Sequence, residues 1–217
     1  VGSWHKTGSP APQEPVGRNR DGHQDCPCAE FMFEKLLSKI ALCLDKHSLP
    51  YMIIGGQAVL LYGEPRLTRD IDITLGVNVE HLDRLLSAVH ELSLKPLPQD
   101  IESFVGETMV LPTLDKHTGI RVDFIFSYTP FETNAIQRAK TVIILGQNIA
   151  FASPEDLIIH KIFAGRPRDF EDVRMILIKN PNLDISYIRK WLKQFDQSSE
   201  TEEFLKNFEE IFKTVSV

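Results

Sequence analysis

With 217 residues, 42% of them apolar, the chain can form one ordinary globular domain plus an extension and is not disordered as a whole. Its formal net charge of −6 and pI near 5.7 argue against a protein that coats nucleic acid wholesale, although a local basic patch can still meet RNA. Three cysteines imply no disulfide framework, no apolar run reaches the roughly 18 residues of a membrane span, and the N-terminal stretch lacks the apolar core of a signal peptide, so the expected place is a reducing cytoplasm without membrane contact.

Residues 1–29 are rich in Pro, Gly, Ser, Arg, Gln and Asp and lack periodic apolar positions, which predicts a disordered arm. His23, Cys26 and Cys28 within it offer three metal donors but no second cluster, and an ordinary tail is the simpler account. From Glu30 to His47, Phe33, Leu36, Leu37, Ile40 and Leu44 recur at helical spacing, with Cys43 as a small core residue. Tyr51 to Ile54 is a short apolar strand, followed by Gly55-Gly56 and a short helix. Residues 70–74 read as a strand. Asn78 is a helix N-cap ahead of the face formed by Leu82, Leu85, Leu86, Val89 and Leu92.

Residues 94–100, with two prolines, read as a connection. Residues 109–114 and 119–126 predict a hairpin, as do residues 141–145 and 148–152 around Gly146-Gln147, with a helix over 131–139 between them. Ser153-Pro154-Glu155-Asp156 is a helix start by composition, and Gly165 to Pro167 stops that helix. Helices are expected over 169–179, 185–195 and 202–215. There is no internal repeat. Strands early and helices late make an α+β protein, divided here into the arm at 1–29, a core at 30–153 and a helical region at 154–217 packed on it.

The chemistry concentrates in residues 51–74. On a strand, Ile71 and Ile73 face one way while Asp70 and Asp72 share the other face. Two carboxylates held this close repel, and a divalent cation relieves them; a solvent-facing strand with two charges is the bland alternative. Gly55-Gly56 before a helix lets a phosphate approach the backbone and the helix start, or is only a tight turn. In residues 119–126, Asp123 falls with Arg121 and Ile125 opposite the apolar face of Ile120, Val122, Phe124 and Phe126. An acid so placed needs a metal or a salt bridge, for instance to Arg121 or Lys161. His160 reads as a packed helix residue rather than a base.

The combination carries more than its parts: strand, Gly-Gly, helix, thirteen residues between Gly56 and Asp70, Asp-x-Asp, then a single Asp on a later strand. In this the chain resembles the nucleotidyltransferase superfamily that includes DNA polymerase beta. Gly55-Gly56-Gln57-Ala58 and Arg66-Leu67-Thr68-Arg69-Asp70-Ile71-Asp72, with Lys161 and the stretch Arg166 to Asp172, are similar to the AbiEii/AbiGii toxin-type branch. The likeness spans about residues 50–180.

The resemblance implies a nucleotidyltransferase-type mixed β-sheet flanked by helices, and transfer of a nucleoside monophosphate from an NTP to an acceptor hydroxyl with release of pyrophosphate. It implies two Mg²⁺ ions, or Mn²⁺, on Asp70, Asp72 and Asp123. Gly55 and Gly56 would meet the β- and γ-phosphates, with Lys161 as a cation on the triphosphate. Arg66 and Arg69 would meet phosphates, Thr68 would hydrogen-bond at the site, and Asp169 would hold Lys161 or an acceptor. Partners implied are an NTP, tRNA or another RNA, a protein or a small molecule as acceptor, and a cognate antitoxin. Arg66, Arg69, Arg121, Lys161, Arg166 and Arg168 are the cations available for RNA. The competing reading is a catalytically silent module of the same fold acting as a protein partner or antitoxin. Loss of an acid or of Gly-Gly would favour it, and all are present.

Overall fold

The computed structural model describes residues 27–64, 68, 70–127, 129–199 and 203–215, with side chains from residue 31 onward. Residues 1–26 of the expected arm, with His23 and Cys26, and Arg66 and Arg69 therefore lie outside the described residues, whereas residues 27–29, Cys28 among them, belong to helix α1 (Pro27–Lys46), which starts three residues before the expected Glu30. The strands are β1 (Tyr51–Ile54), β2 (Asp70–Leu75), β3 (Lys95–Pro96), β4 (Val110–Leu114), β5 (Arg121–Phe126), β6 (Lys140–Ile144) and β7 (Gln147–Phe151). The remaining helices are α2 (Gly55–Tyr62), α3 (Leu82–Glu91), α4 (Ile101–Thr108), α5 (Pro130–Arg138), α6 (Pro154–Ala164), α7 (Pro167–Lys179), α8 (Ile185–Ser198) and α9 (Phe204–Val215). This is the α+β architecture expected from the chain.

One mixed sheet runs β3-β4-β5-β2-β1-β7-β6. β1 lies antiparallel to β2, and β2 lies parallel to β5, with Asp72 opposite Asp123 and Asp70 opposite Arg121. β4–β5 and β6–β7 are the two expected hairpins. The period of two holds on the two central strands: Ile71, Ile73, Val122 and Phe124 are fully buried, while Asp70, Asp72, Arg121 and Asp123 project from the other side of the pleat. Helix α6 packs on α2, α7, α8 and α9, so the C-terminal helices form a continuous body against the end of the sheet that carries the acids.

Three local expectations change, and one helix joins where the sequence carried no expectation. Residues 94–100 contain β3, paired to β4 through Lys95 and Pro96. Helix α4 follows, capped by the Asp100 carboxylate accepting from the Ser103 amide; its apolar residues are too sparse to show a period, and only Val105 is fully buried. Asn78 makes no side-chain cap: a 3₁₀ turn at Val79–His81 intervenes before α3, and the Asn78 amide oxygen lies 3.0 Å from His81 Nδ1. The two-residue turn between β6 and β7 is Leu145-Gly146, both at positive φ, rather than Gly146-Gln147.

One buried acid ties three helices together. Asp156, fully buried on α6, accepts from Ser153 Oγ and from the Tyr187 hydroxyl of α8 at 2.6 Å, and lies 3.4 Å from Arg138 Nε of α5. Burial, and then the bond to Asp156, push the Tyr187 phenol up from its ordinary pKa. Removing the carboxylate takes the acceptor from the buried Ser153 hydroxyl and leaves Tyr187 with Asn134 and Arg138 with Glu155, so Asp156→Ala is expected to lower unfolding free energy by about 2 kcal/mol in urea titrations. Tyr187→Phe, which deletes the hydroxyl that reaches both Asp156 and Asn134, is expected to cost about 1 kcal/mol.

Candidate active site

β1 runs straight into α2, and the junction is made by glycine for a steric reason. Gly55 sits at φ +65°, and a Cβ there would overlap the Asp72 carboxylate, lying 2.8 Å from Asp72 Cγ. Residue 55 must therefore be glycine both for its backbone and for its neighbour. The residue before the helix, Ile54, offers no side-chain cap, so the first turn of α2, whose Gly55 and Gly56 border the acid-lined space, has no capping side chain from that position. Gln57 on α2 donates to the Thr68 hydroxyl, which joins the Gly-Gly segment to the loop leading into β2.

Asp70, Asp72 and Asp123 come together as the sequence reading requires. Parallel pairing of β2 with β5 puts Asp72 and Asp123 on adjacent strands, about 5 Å apart in backbone, with Asp70 two residues along the same face. Burial raises the Asp72 carboxyl above its ordinary pKa, and the charges of Asp123 and then Asp70 raise it further; Lys161 and Arg166 oppose them. Asp123 is held by Arg121, whose Nε lies 2.7 Å from Asp123 Oδ1. Of the two salt-bridge partners open to Asp123 in the sequence, the structure shows Arg121.

Lys161 lies elsewhere in the charge balance. Its ammonium is buried between two α7 carboxylates, 2.6 Å from Asp169 Oδ1 and 2.9 Å from Asp172 Oδ2. Arg166 closes on Asp169 Oδ2 at 2.6 Å. Burial pushes the Asp169 carboxyl up, but the bonds from Arg166 and Lys161 outweigh it and hold the group below its usual range. Asp169 thus holds Lys161, one of the two roles expected for it. Asp172 was not singled out by the sequence reading. The signal was present in the i, i+3 spacing of Asp169 and Asp172, which puts both on one face of α7.

Apart from Gln57 and Asp172, these groups line a single cleft of about 940 Å³. One wall is the acid-bearing face of β2 and β5, the other is α6 and the start of α7, and Gly55, Gly56 and Thr68 sit at one end. Thr74, Ser127 and Glu132 also line it and were not anticipated. His160 contributes too. Burial lowers its pKa to about 4, so its imidazole is neutral at pH 7, and its Nε2 is closed off with no partner among the described residues. This agrees with a packed residue rather than a base. The described lining holds five carboxylates (Asp70, Asp72, Asp123, Glu132, Asp169) against four cations (Arg121, Lys161, Arg166, Arg168).

The family model described as "Nucleotidyltransferase of unknown function (DUF6036)" matches residues 32–216. No curated protein matches the chain by sequence. Among solved structures, the chain is similar to the antibiotic-resistance factor ANT(2'')-Ia in solution, with a TM-score of 0.55 and 17% identity over 77% of this chain and 95% of that one. It is also similar to ANT(2'')-Ia in complex with adenylyl-2''-tobramycin, with a TM-score of 0.53 and 18% identity over 77% of this chain and 98% of that one. An antigenic nucleotidyltransferase-like protein from Paracoccidioides brasiliensis gives 0.49 and 21%, over 80% and 92%. The likeness to ANT(2'')-Ia shows a shared fold.

The electrostatics of Asp72 yield a pH and metal prediction. A carboxyl whose pKa is raised by folding contributes stability below its unfolded pKa and loses it as pH rises through the folded value. The metal-free protein therefore carries an unfavourable term from Asp72 at pH 7 that fades toward acid pH. Asp72→Asn is expected to raise the metal-free Tm at pH 7 and to make Tm insensitive to added Mg²⁺. Thermal melts with and without Mg²⁺ at pH 7 and near pH 4.5 check both statements.

Proposed function

Because the chain belongs to the nucleotidyltransferase family designated DUF6036, we propose that it is an active, divalent-metal-dependent enzyme moving a nucleoside monophosphate from an NTP to an acceptor hydroxyl. The observation that carries the proposal is the convergence of Asp70, Asp72 and Asp123 beside the Gly55-Gly56 turn in one cleft. Three carboxylates from two paired strands are a donor set for a hard cation, and the upward push on Asp72 is what a nearby divalent charge would remove. Mg²⁺ or Mn²⁺ held there would supply charge stabilisation at the phosphate undergoing transfer.

The chain's own residues do the rest. The backbone of Gly55 and Gly56 and the start of α2 receive the β- and γ-phosphates. Asp123 orients the acceptor hydroxyl and takes its proton as the oxygen forms its bond to the α-phosphorus. The bond from that phosphorus to the bridging oxygen breaks, and pyrophosphate leaves with the electron pair. Lys161, fixed by Asp169 and Asp172, supplies positive potential to the cleft from within the wall, and Arg166 is the more exposed cation beside it. For Arg121, the reading requires that its hold on Asp123 be exchanged for the metal.

The described part of the cleft is not basic, which favours a neutral or cationic small-molecule acceptor over tRNA or a protein surface. The finer likeness to the AbiEii/AbiGii branch, and with it a toxin acting beside a cognate antitoxin, is supported by the motif itself and by the Gln57–Thr68 bond that joins its two halves. The silent-module reading draws on the Arg121–Asp123 pair, which occupies one of the acids.

The deciding experiment incubates the protein with each labelled NTP, Mg²⁺ and, separately, tRNA, protein and small polyhydroxyl acceptors. Incorporation is expected in the wild type. It is expected to fall at least ~10³-fold, equivalent to about 4 kcal/mol of transition-state stabilisation, in Asp70→Ala and in Asp123→Ala with the fold retained. Unchanged incorporation in both variants would remove the assignment.

A further inference from the structure

A second group of metal-type donors lies away from the cleft, where the end of α1 meets the end of α3. Cys43 and His47 are spaced i, i+4, and the His47 amide still donates to the Cys43 carbonyl at 3.0 Å, so the helical turn carries both side chains to one face. Glu91 reaches them from the last turn of α3. One ligand atom from each of Cys43, His47 and Glu91 lies within 4.8 Å of the others, and His47 Nε2 is 3.1 Å from Glu91 Oε2. Cys43 is buried, His47 partly buried and Glu91 exposed.

We propose that Cys43, His47 and Glu91 form a zinc-type metal site that clamps the C-terminal ends of α1 and α3. The donor set is one thiolate, one imidazole and one carboxylate, the mixture Zn²⁺ takes at tetrahedral sites with three protein ligands, the fourth position being left to water. A path in exists, because Cys43 and Glu91 line a groove of about 810 Å³ that does not share a residue with the acid-lined cleft. Outer support is present as well: Lys46 Nζ lies 2.7 Å from Glu91 Oε1 and 2.9 Å from Oε2. A carboxylate that gives one oxygen to a metal and keeps the other on a lysine is held in orientation by that second partner.

Binding releases the Cys43 thiol proton to solvent, and with it the weak bond to the Ala88 carbonyl at 3.6 Å; no oxidation or reduction is involved. The Lys46–Glu91 pair is solvent-exposed, so sharing that carboxylate with an ion sacrifices little. The site is independent of nucleotide transfer, since none of its residues lines the cleft.

The test uses the full chain loaded with Co²⁺ or Zn²⁺ and freed of excess metal. About one equivalent of Zn²⁺ per chain is expected by elemental analysis, and Co²⁺ is expected to give the thiolate charge-transfer absorption of a cysteine-ligated ion. Both are expected to be lost in Cys43→Ala and in His47→Ala. Both are expected to persist in the double variant Cys26→Ser/Cys28→Ser, which removes the other thiols, and in Asp70→Asn, which disturbs the acids. Circular dichroism of each variant separates loss of metal from loss of fold, and His47→Ala, at a partly buried position, serves if Cys43→Ala misfolds. Absence of the absorption in the wild type, or its survival in Cys43→Ala, would overturn the proposal and leave the three residues as an ion-pair cluster at two helix ends.

Discussion

The contact between the Asp72 carboxylate and the backbone of Gly55 is the constraint on which the cleft depends. It brings the end of β1, the start of α2 and the middle of β2 within one van der Waals layer. Any side chain at residue 55 would push the carboxylate off the sheet. With glycine there, the acid is packed against backbone on one side and faces Asp123 on the other. The cost of that packing is visible in the carboxyl itself, which burial and two neighbouring acids drive toward its protonated form. A fold that keeps such a group in place keeps a site with an unmet demand for positive charge.

Two cationic devices answer that demand differently. Arg121 is on the same strand as Asp123 and half-exposed, so its pairing is local and exchangeable. Lys161 is buried between Asp169 and Asp172, so it is fixed, and its departure would take a buried cation from both carboxylates. The network also sets where α7 begins relative to α6, because Arg166 and Asp169 flank the turn that Gly165 and Pro167 make. A residue that reads in the sequence as a phosphate-binding cation is thus also part of the wall that shapes the cleft.

How much of this could be read beforehand follows from which interactions are local. The alternation in Asp70-Ile71-Asp72-Ile73 and in Val122-Asp123-Phe124 is a property of a strand, and it assigned the acids to one face correctly. The cap and stop signals of α6 are local as well, and Ser153 does accept from the Asp156 amide. The register that sets Asp72 opposite Asp123 is different. It joins strands some fifty residues apart, and only the family resemblance suggested it. Asp169 as a partner of Lys161 likewise came only with the resemblance, while Asp172, the Tyr187–Asp156 bond and Gly55 against Asp72 are non-local contacts that were not anticipated. Helix α4 was missed because its apolar residues are too few to show a period.

The claim that Asp70, Asp72 and Asp123 form one metal-dependent nucleotide site is tested most directly by crystals grown with Mn²⁺ and a non-hydrolysable NTP analogue, read by anomalous scattering. The account predicts manganese bound by these three carboxylates, with Arg121 released from Asp123 and the β- and γ-phosphates against Gly55 and Gly56. Manganese absent from the three acids, with Arg121 still on Asp123 and no nucleotide in the cleft at saturating concentration, would contradict it.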